Sequence, residues 1–185
     1  MDVDNLSPRS VRGITLVELI TTLAVAGISL AVLVPSWAGF ADRSQITATA
    51  NGLLTDLRFA RSTAVTRNRR IGLCPSDNGQ HCSGDPRGWQ RGYIVFADTD
   101  ADRDRDPGET ILRVKNALSQ PLKLHSTAGR PVISFRPDGG AWSTNTTFSV
   151  CAGDNRENYR AVVLYGSGRA RVNRRGPNNR PVRCL

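Results

Sequence analysis

The sequence predicts an α+β fold in which one long N-terminal helix packs on an antiparallel β-rich domain. Three observations carry that prediction. An uncharged apolar run near the N-terminus passes into an amphipathic stretch whose apolar residues recur at three-, four- and seven-residue steps, so helical character continues across the junction. From residue 70 onward, short runs rich in Val, Ile, Phe and Tyr alternate with Gly, Pro, Asn and Asp clusters, the rhythm of strands joined by turns. No strand–helix–strand alternation and no internal repeat breaks that rhythm, which argues against a parallel α/β architecture. The 185 residues are enough for one ordinary domain, not for a series of separately folding enzymatic modules.

Residues 1–13 are polar and end in Arg9, Arg12 and Gly13. Residues 14–41 then read as an apolar helix. Its part from 19 to 41 holds 23 residues without a charge, about 34 Å of helix, enough to cross a ~30 Å hydrocarbon core. The basic flank should stay cytoplasmic and send the following chain across the membrane. An ordinary cleaved secretory signal is not expected, because a polar leader precedes the apolar run and no small-residue cleavage site closes it. A one-pass anchor is the plainer reading. Glu18 stands near the start of this apolar helix, where an unpaired carboxylate is costly. A free α-amine at residue 14 would pair with it if the chain were cut after Gly13. Pro35 removes a backbone hydrogen bond and should kink the helix. Residues 42–69 continue as an amphipathic helix to about Asn68, with Ile46, Ala50, Leu53, Leu57 and Ala64 on the apolar face and Gly52 as a weak point.

Residues 70–185 form the expected head, with strands at 71–74, 93–97, 110–114, 132–135, 147–151, 161–165 and 168–172. All four cysteines, Cys74, Cys82, Cys151 and Cys184, fall in this part. In an oxidising compartment an even count favours disulfides, and of the three possible pairings Cys74–Cys82 with Cys151–Cys184 is the simplest. The alternative is a zinc site using His81 beside Cys82, but the Cys74 to Cys82 spacing is not that of a zinc finger and His125 is isolated.

A net charge of +9 points to an anionic partner, and its distribution says where. Residues 71–159 hold eleven acids and ten bases, whereas residues 160–185 hold seven arginines and no acid. If 168–175 is extended, Arg169, Arg171, Asn173 and Arg175 share one face and Ala170 and Val172 the other. Arginines two apart on a strand stand roughly 6.6 Å apart, near two nucleotide rises, so successive guanidiniums can each fork onto a phosphate. Arg160, Arg174, Arg180 and Arg183 widen the patch. Tyr159 and Tyr165 are either stacking rings for bases or core residues. The alternative is a solvated basic tail, or one that binds a neighbouring subunit.

Asp98, Asp100, Asp102, Asp104, Asp106 and Glu109 stand at the 1, 3, 5, 7, 9 and 12 spacing of a calcium loop. Arg103 occupies the position that needs a glycine turn, Arg105 adds a second positive charge, and the flanks read as strands. A solvated hairpin loop whose arginines offset the acids is therefore the expectation, with calcium as the sharper alternative. Neither a G-x-S-x-G, a Walker A, an H-E-x-x-H nor a dinucleotide fingerprint occurs, and only two histidines are available as bases. No enzyme and no cofactor is expected.

The segment Arg12-Gly13-Ile14-Thr15-Leu16-Val17-Glu18-Leu19 resembles the class III signal of type IV pilins and pseudopilins, with Ile14 where phenylalanine is usual. The resemblance implies that residues 1–13 are a leader cut between Gly13 and Ile14 by a prepilin peptidase. It further implies N-methylation of Ile14, a Glu18 contact that sets register with the next subunit, and a helix over 14–41 that serves as membrane anchor and filament core. Pro35 matches the place where such helices kink. The stretch 89–96, the acidic loop after it, Phe135-Arg136-Pro137-Asp138-Gly139 and Gly168-Arg169-Ala170-Arg171 together resemble the FimT/GspH family of minor pilins. In FimT-type pilins a Gly-Arg-x-Arg motif contacts DNA during natural transformation; carried over, Arg169 and Arg171 become the primary contacts and Gly168 the turn that presents them. The implied partners are double-stranded DNA of any sequence, other pilins in a filament, the peptidase and the inner membrane, with the head in the periplasm or at the cell surface. Two other roles stay open: a GspH-like pseudopilin of a type II secretion apparatus, and a calcium-dependent adhesin head resting on the acidic loop alone.

Overall fold

The computed structural model describes residues 13–142, 145–153 and 155–184, with the side chains of residues 31–39 outside that set. The expected leader charges Arg9 and Arg12, and the ring of Pro35, lie outside the described residues.

Helix α1, Leu16–Thr66, opens on an N-cap: the Thr15 hydroxyl accepts from the Glu18 amide at 3.3 Å. It closes on Asn68 at φ 50°, where the Asn68 amide donates to the Val65 carbonyl and the Arg69 amide to the Ala64 carbonyl. This is the left-handed cap that asparagine tolerates in place of glycine. The chain divides into two compact units, one reaching Phe40 and the other Ala41–Leu185. In the first, every described side chain from residue 13 to 30 is exposed, Ile14, Leu16, Val17, Leu23 and Ile28 among them. No helix among the described residues is long and apolar enough to cross a membrane.

The unit Ala41–Leu185 holds every buried hydrophobic residue described, from Ile46 onward, and both disulfides, so it carries its own core. All nine described strands pair antiparallel. One sheet has the order β3 (Ile111–Asn116), β2 (Gly92–Asp98), β1 (Arg70–Pro75), β5 (Ile133–Phe135), β6 (Ala141–Trp142). The other has the order β4 (Lys123–Ser126), β7 (Thr146–Cys151), β8 (Arg160–Leu164), β9 (Ala170–Asn173). Ile46, Ala50, Leu53, Leu57, Ala60 and Ala64 bury the helix face against Leu73, Val95 and Phe135 of the first sheet and Phe148, Val150 and Val162 of the second. Each large aliphatic side chain so removed from water contributes about 1.5–3 kcal/mol. Trp89, in a short 3₁₀ turn, stands edge-on to Phe148 and donates its indole N–H to Ser126 Oγ at 3.1 Å, which satisfies the one polar atom it buries. On the helix, Asp56 accepts from Tyr93 Oη and from Arg113 Nη1, each at 2.7 Å, while Arg113 lies over the Phe59 ring.

All seven expected strands are present, with two differences. β4 and the two-residue β6 add to them, since Lys123-Leu124-His125-Ser126 shows no apolar alternation in sequence; burial of Leu124, His125 and Ser126 makes it a strand. The last strand ends at Asn173 and does not run on to Arg175, because the chain bends at Arg174 and Arg175 and Pro177 cannot continue a ladder.

Candidate nucleic-acid interface

Strands β8 and β9 form a hairpin, with Leu164 opposite Ala170 and Val163 opposite Arg171. The connection closes by two hydrogen bonds: the Tyr165 amide donates to the Arg169 carbonyl at 2.9 Å, and the Gly168 amide to the Tyr165 carbonyl at 2.8 Å. Gly168 is buried at φ 76°, the left-handed conformation that such loops reserve for glycine. A Cβ at this position would overlap the Gly139 carbonyl oxygen and meet Arg61 Nε. That carbonyl is itself held by Arg61, which donates from Nε at 2.9 Å, and the Ala141 amide donates to the Gly166 carbonyl at 3.0 Å. The turn after β5 therefore rests against the turn after β8, and a helix arginine clamps the junction. Both turns belong to segments singled out in the sequence; Arg61 does not, since nothing in the helical pattern separates it from a solvated arginine.

From this fixed corner the alternation of β9 buries Ala170, half-buries Val172 and exposes Arg169, Arg171 and Asn173. β9 is an edge strand of its sheet, β4 being the other. Past Asn173 the chain turns through Gly176, whose amide donates to the Arg180 carbonyl at 2.8 Å, and returns to the outer face of the sheet. There Val182 is buried with Tyr159, Ala161 and Val163, and Cys184 is bonded to Cys151. The arginines thus sit on a folded-back strap. Arg169, Arg171, Arg174, Arg175, Arg180 and Arg183 are all exposed. None of the six pairs with an acid among the described residues, and Arg175 alone is engaged, with the Asn179 carbonyl at 3.4 Å. Unpaired guanidiniums on one strand and one strap present forked donors without an internal competitor.

Arg160 is the exception and corrects the sequence reading. It is 8% exposed, and its Nη1 donates to the carbonyls of Glu157, Asn158 and Tyr159. Burial pushes its guanidinium below the usual range, with the charges of Arg174 and Arg43 adding to the effect. Arg160 shapes the entry to β8 and is not available to a ligand. Tyr159 is likewise core, its hydroxyl donating to the Gly153 carbonyl at 2.7 Å, whereas Tyr165 is 37% exposed beside Arg169. The remaining sites are placed as follows. Gly13 and Ile14 precede the helix in non-helical, exposed chain. Cys74 and Cys82 are bonded to each other, which leaves no thiolate for a zinc ion next to His81. Buried His125 faces the Arg183 carbonyl at 3.3 Å. In the acidic loop, one oxygen each from Asp98, Asp100 and Asp102 come together, but Asp104, Asp106 and Glu109 are not part of that group. Glu109 is buried, and its carboxylate accepts from the amide and hydroxyl of Thr99 and from the Asp106 amide.

A helix whose last turns pack on two antiparallel sheets, entered from an apolar helical stretch, defines a pilin-type fold. The solved structures similar to it include the type IV minor pilin FimU of Pseudomonas aeruginosa in two crystal forms. These match with TM-scores of 0.56 and 0.53 at 20% and 19% identity, over 71% and 69% of this chain and 90% and 91% of theirs. At that identity the likeness is one of fold. In sequence, the chain is 33% identical over 167 residues to the "Pilin-like protein PilA1" of Thermus thermophilus, covering 87% of this chain and 97% of the relative. The family described as Type II transport protein GspH matches residues 49–168, and the chain belongs to that family of pilin-like proteins.

Proposed function

We propose that this chain is a minor pilin whose head binds double-stranded DNA, irrespective of sequence, for uptake in natural transformation. The observation that carries the reading is the set of exposed arginines free of acidic partners, with Arg169 and Arg171 on one edge-strand face locked at one end by Gly168. Phosphates supply the attraction, so affinity follows charge and salt, not base order. Catalysis is not part of this role.

The N-terminal part serves delivery. A prepilin peptidase cuts between Gly13 and Ile14, residues 14–41 anchor the subunit in the inner membrane, and the same exposed apolar side chains are covered by neighbouring pilins once the subunit enters a filament. Glu18 then pairs with the new α-amine. A second reading has a specific support, the family description itself: a pseudopilin of a type II secretion apparatus, in which the arginines meet a partner subunit. Electrophoretic shift of two unrelated duplexes by the unit Ala41–Leu185 tests the first reading. Equal shifts are expected, with strong weakening in Arg169→Gln/Arg171→Gln. No shift at ~150 mM salt, together with a secretion defect on deletion of the gene, favours the second.

A further inference from the structure

The β2–β3 loop brings carboxylates together in a way the arginine strap does not explain. Asp98, the last residue of β2, is only 1% exposed. Its Oδ2 accepts from Ser134 Oγ at 3.3 Å, but its Oδ1 accepts no hydrogen bond. One carboxylate oxygen each of Asp98, Asp100 and Asp102 lie within 4.8 Å of one another. Arg105, the second arginine of the loop, donates from Nη2 to the Glu109 carbonyl at 3.1 Å.

We propose that Asp98, Asp100 and Asp102 bind one calcium ion. Oxygens that bind a common Ca²⁺ at about 2.3–2.6 Å stand up to about 5 Å apart, the separation these three already have. Loop carbonyls and water complete the 6–8 oxygens calcium takes, which exposed Asp100 and Asp102 leave room for. The twelve-residue template is used only in its first half. Glu109, its expected bidentate ligand, instead ties Asp106 and Thr99 together and so holds the loop closed around the other three. Calcium is favoured over magnesium because a half-exposed cluster of this kind imposes no octahedral geometry and need not strip a tight hydration shell.

The test uses the full chain in detergent, with calorimetric titration of CaCl₂ and thermal midpoints in 10 mM CaCl₂, MgCl₂ or NaCl of matched ionic strength. Three carboxylates in a non-helical loop should bind with a dissociation constant of about 0.1–1 mM, raising the midpoint by about 4–8 °C at that calcium concentration. Asp98→Asn/Asp102→Asn should lose the rise, while its metal-free midpoint equals or exceeds that of the parent because a buried charge has been removed. Asp100→Asn, on the exposed side, should keep the parent's metal-free midpoint and weaken binding at least fivefold. Absence of any calcium response, or a full response in these variants, would overturn the site. An equal response to magnesium would overturn its assignment to calcium.

Discussion

Substituting Gly168 by alanine tests whether the corner that presents Arg169 is built as described. At φ 76° an L-residue carries about 1–3 kcal/mol of backbone strain. The new Cβ also falls on the Gly139 carbonyl oxygen, which cannot retreat freely because Arg61 Nε holds it at 2.9 Å and the Gly166–Ala141 hydrogen bond joins the same two turns. Overpacking of this kind adds about 1–3 kcal/mol. The two costs share one relaxation, so about 3 kcal/mol in total is expected, roughly a 10 °C fall in midpoint for a unit of this size. The assay is thermal unfolding of Ala41–Leu185 followed by circular dichroism. Gly166→Ala, two residues away in the same loop, is the control: no atom lies within 4 Å of a Cβ there. Its midpoint should move by no more than a degree or two, equivalent to about 0.5 kcal/mol. A Gly168→Ala variant that melts like the parent, or a control that falls as far, would refute the reasoning.

The same unit supports three further expectations. Gly52 lies inside α1, and a Cβ there would meet nothing within 4 Å, so Gly52→Ala should raise the midpoint by about 2–4 °C, the equivalent of about 0.5–1 kcal/mol of helix propensity; a fall would show an unseen contact. Removing the Cys151–Cys184 bond, which closes a separation of 33 residues, should cost about 3–4 kcal/mol on the loop-entropy account, read as the fall in stability of Cys151→Ser/Cys184→Ser; a variant as stable as the parent would contradict it. His125 is held below its ordinary 6.5, chiefly by burial, so the neutral imidazole contributes stability that is present above pH 6.5 and is lost as pH falls through the folded value. The midpoint should therefore drop between pH 7.5 and 5, and His125→Gln should remove that part of the drop; an identical pH profile in the variant would contradict it.

Much of this molecule can be read from residue pattern, and the failures share a cause. The helix face from Ile46 to Ala64 and the seven β runs are legible because burial on one side imposes a period that survives in sequence. Ala60 lies on the same face but stands out poorly, since a small residue carries little signal. β4 is invisible in sequence because Ser126 and His125 are buried through partners, Trp89 and the Arg183 carbonyl, that come from distant parts of the chain. Arg160 illustrates the same limit in the interface. Its place at the head of an arginine-rich segment suggests a ligand contact, whereas three backbone carbonyls of the preceding turn claim its guanidinium. In the acidic loop, the spacing marks the right residues, but which of them converge depends on Glu109 turning inward to Thr99, a contact that spacing does not encode.

The central claim is that Arg169 and Arg171 each neutralise a DNA phosphate. The direct measurement is the dissociation constant of Ala41–Leu185 for one duplex over a series of salt concentrations, for the parent and for Arg169→Gln/Arg171→Gln. Each phosphate contact contributes about 0.9 to the slope of log affinity against log salt, so the double variant should show a slope shallower by about 1.8. At ~150 mM salt it should bind at least about tenfold more weakly. A parent that binds with a salt slope near zero, or a double variant whose slope equals that of the parent, would contradict the account.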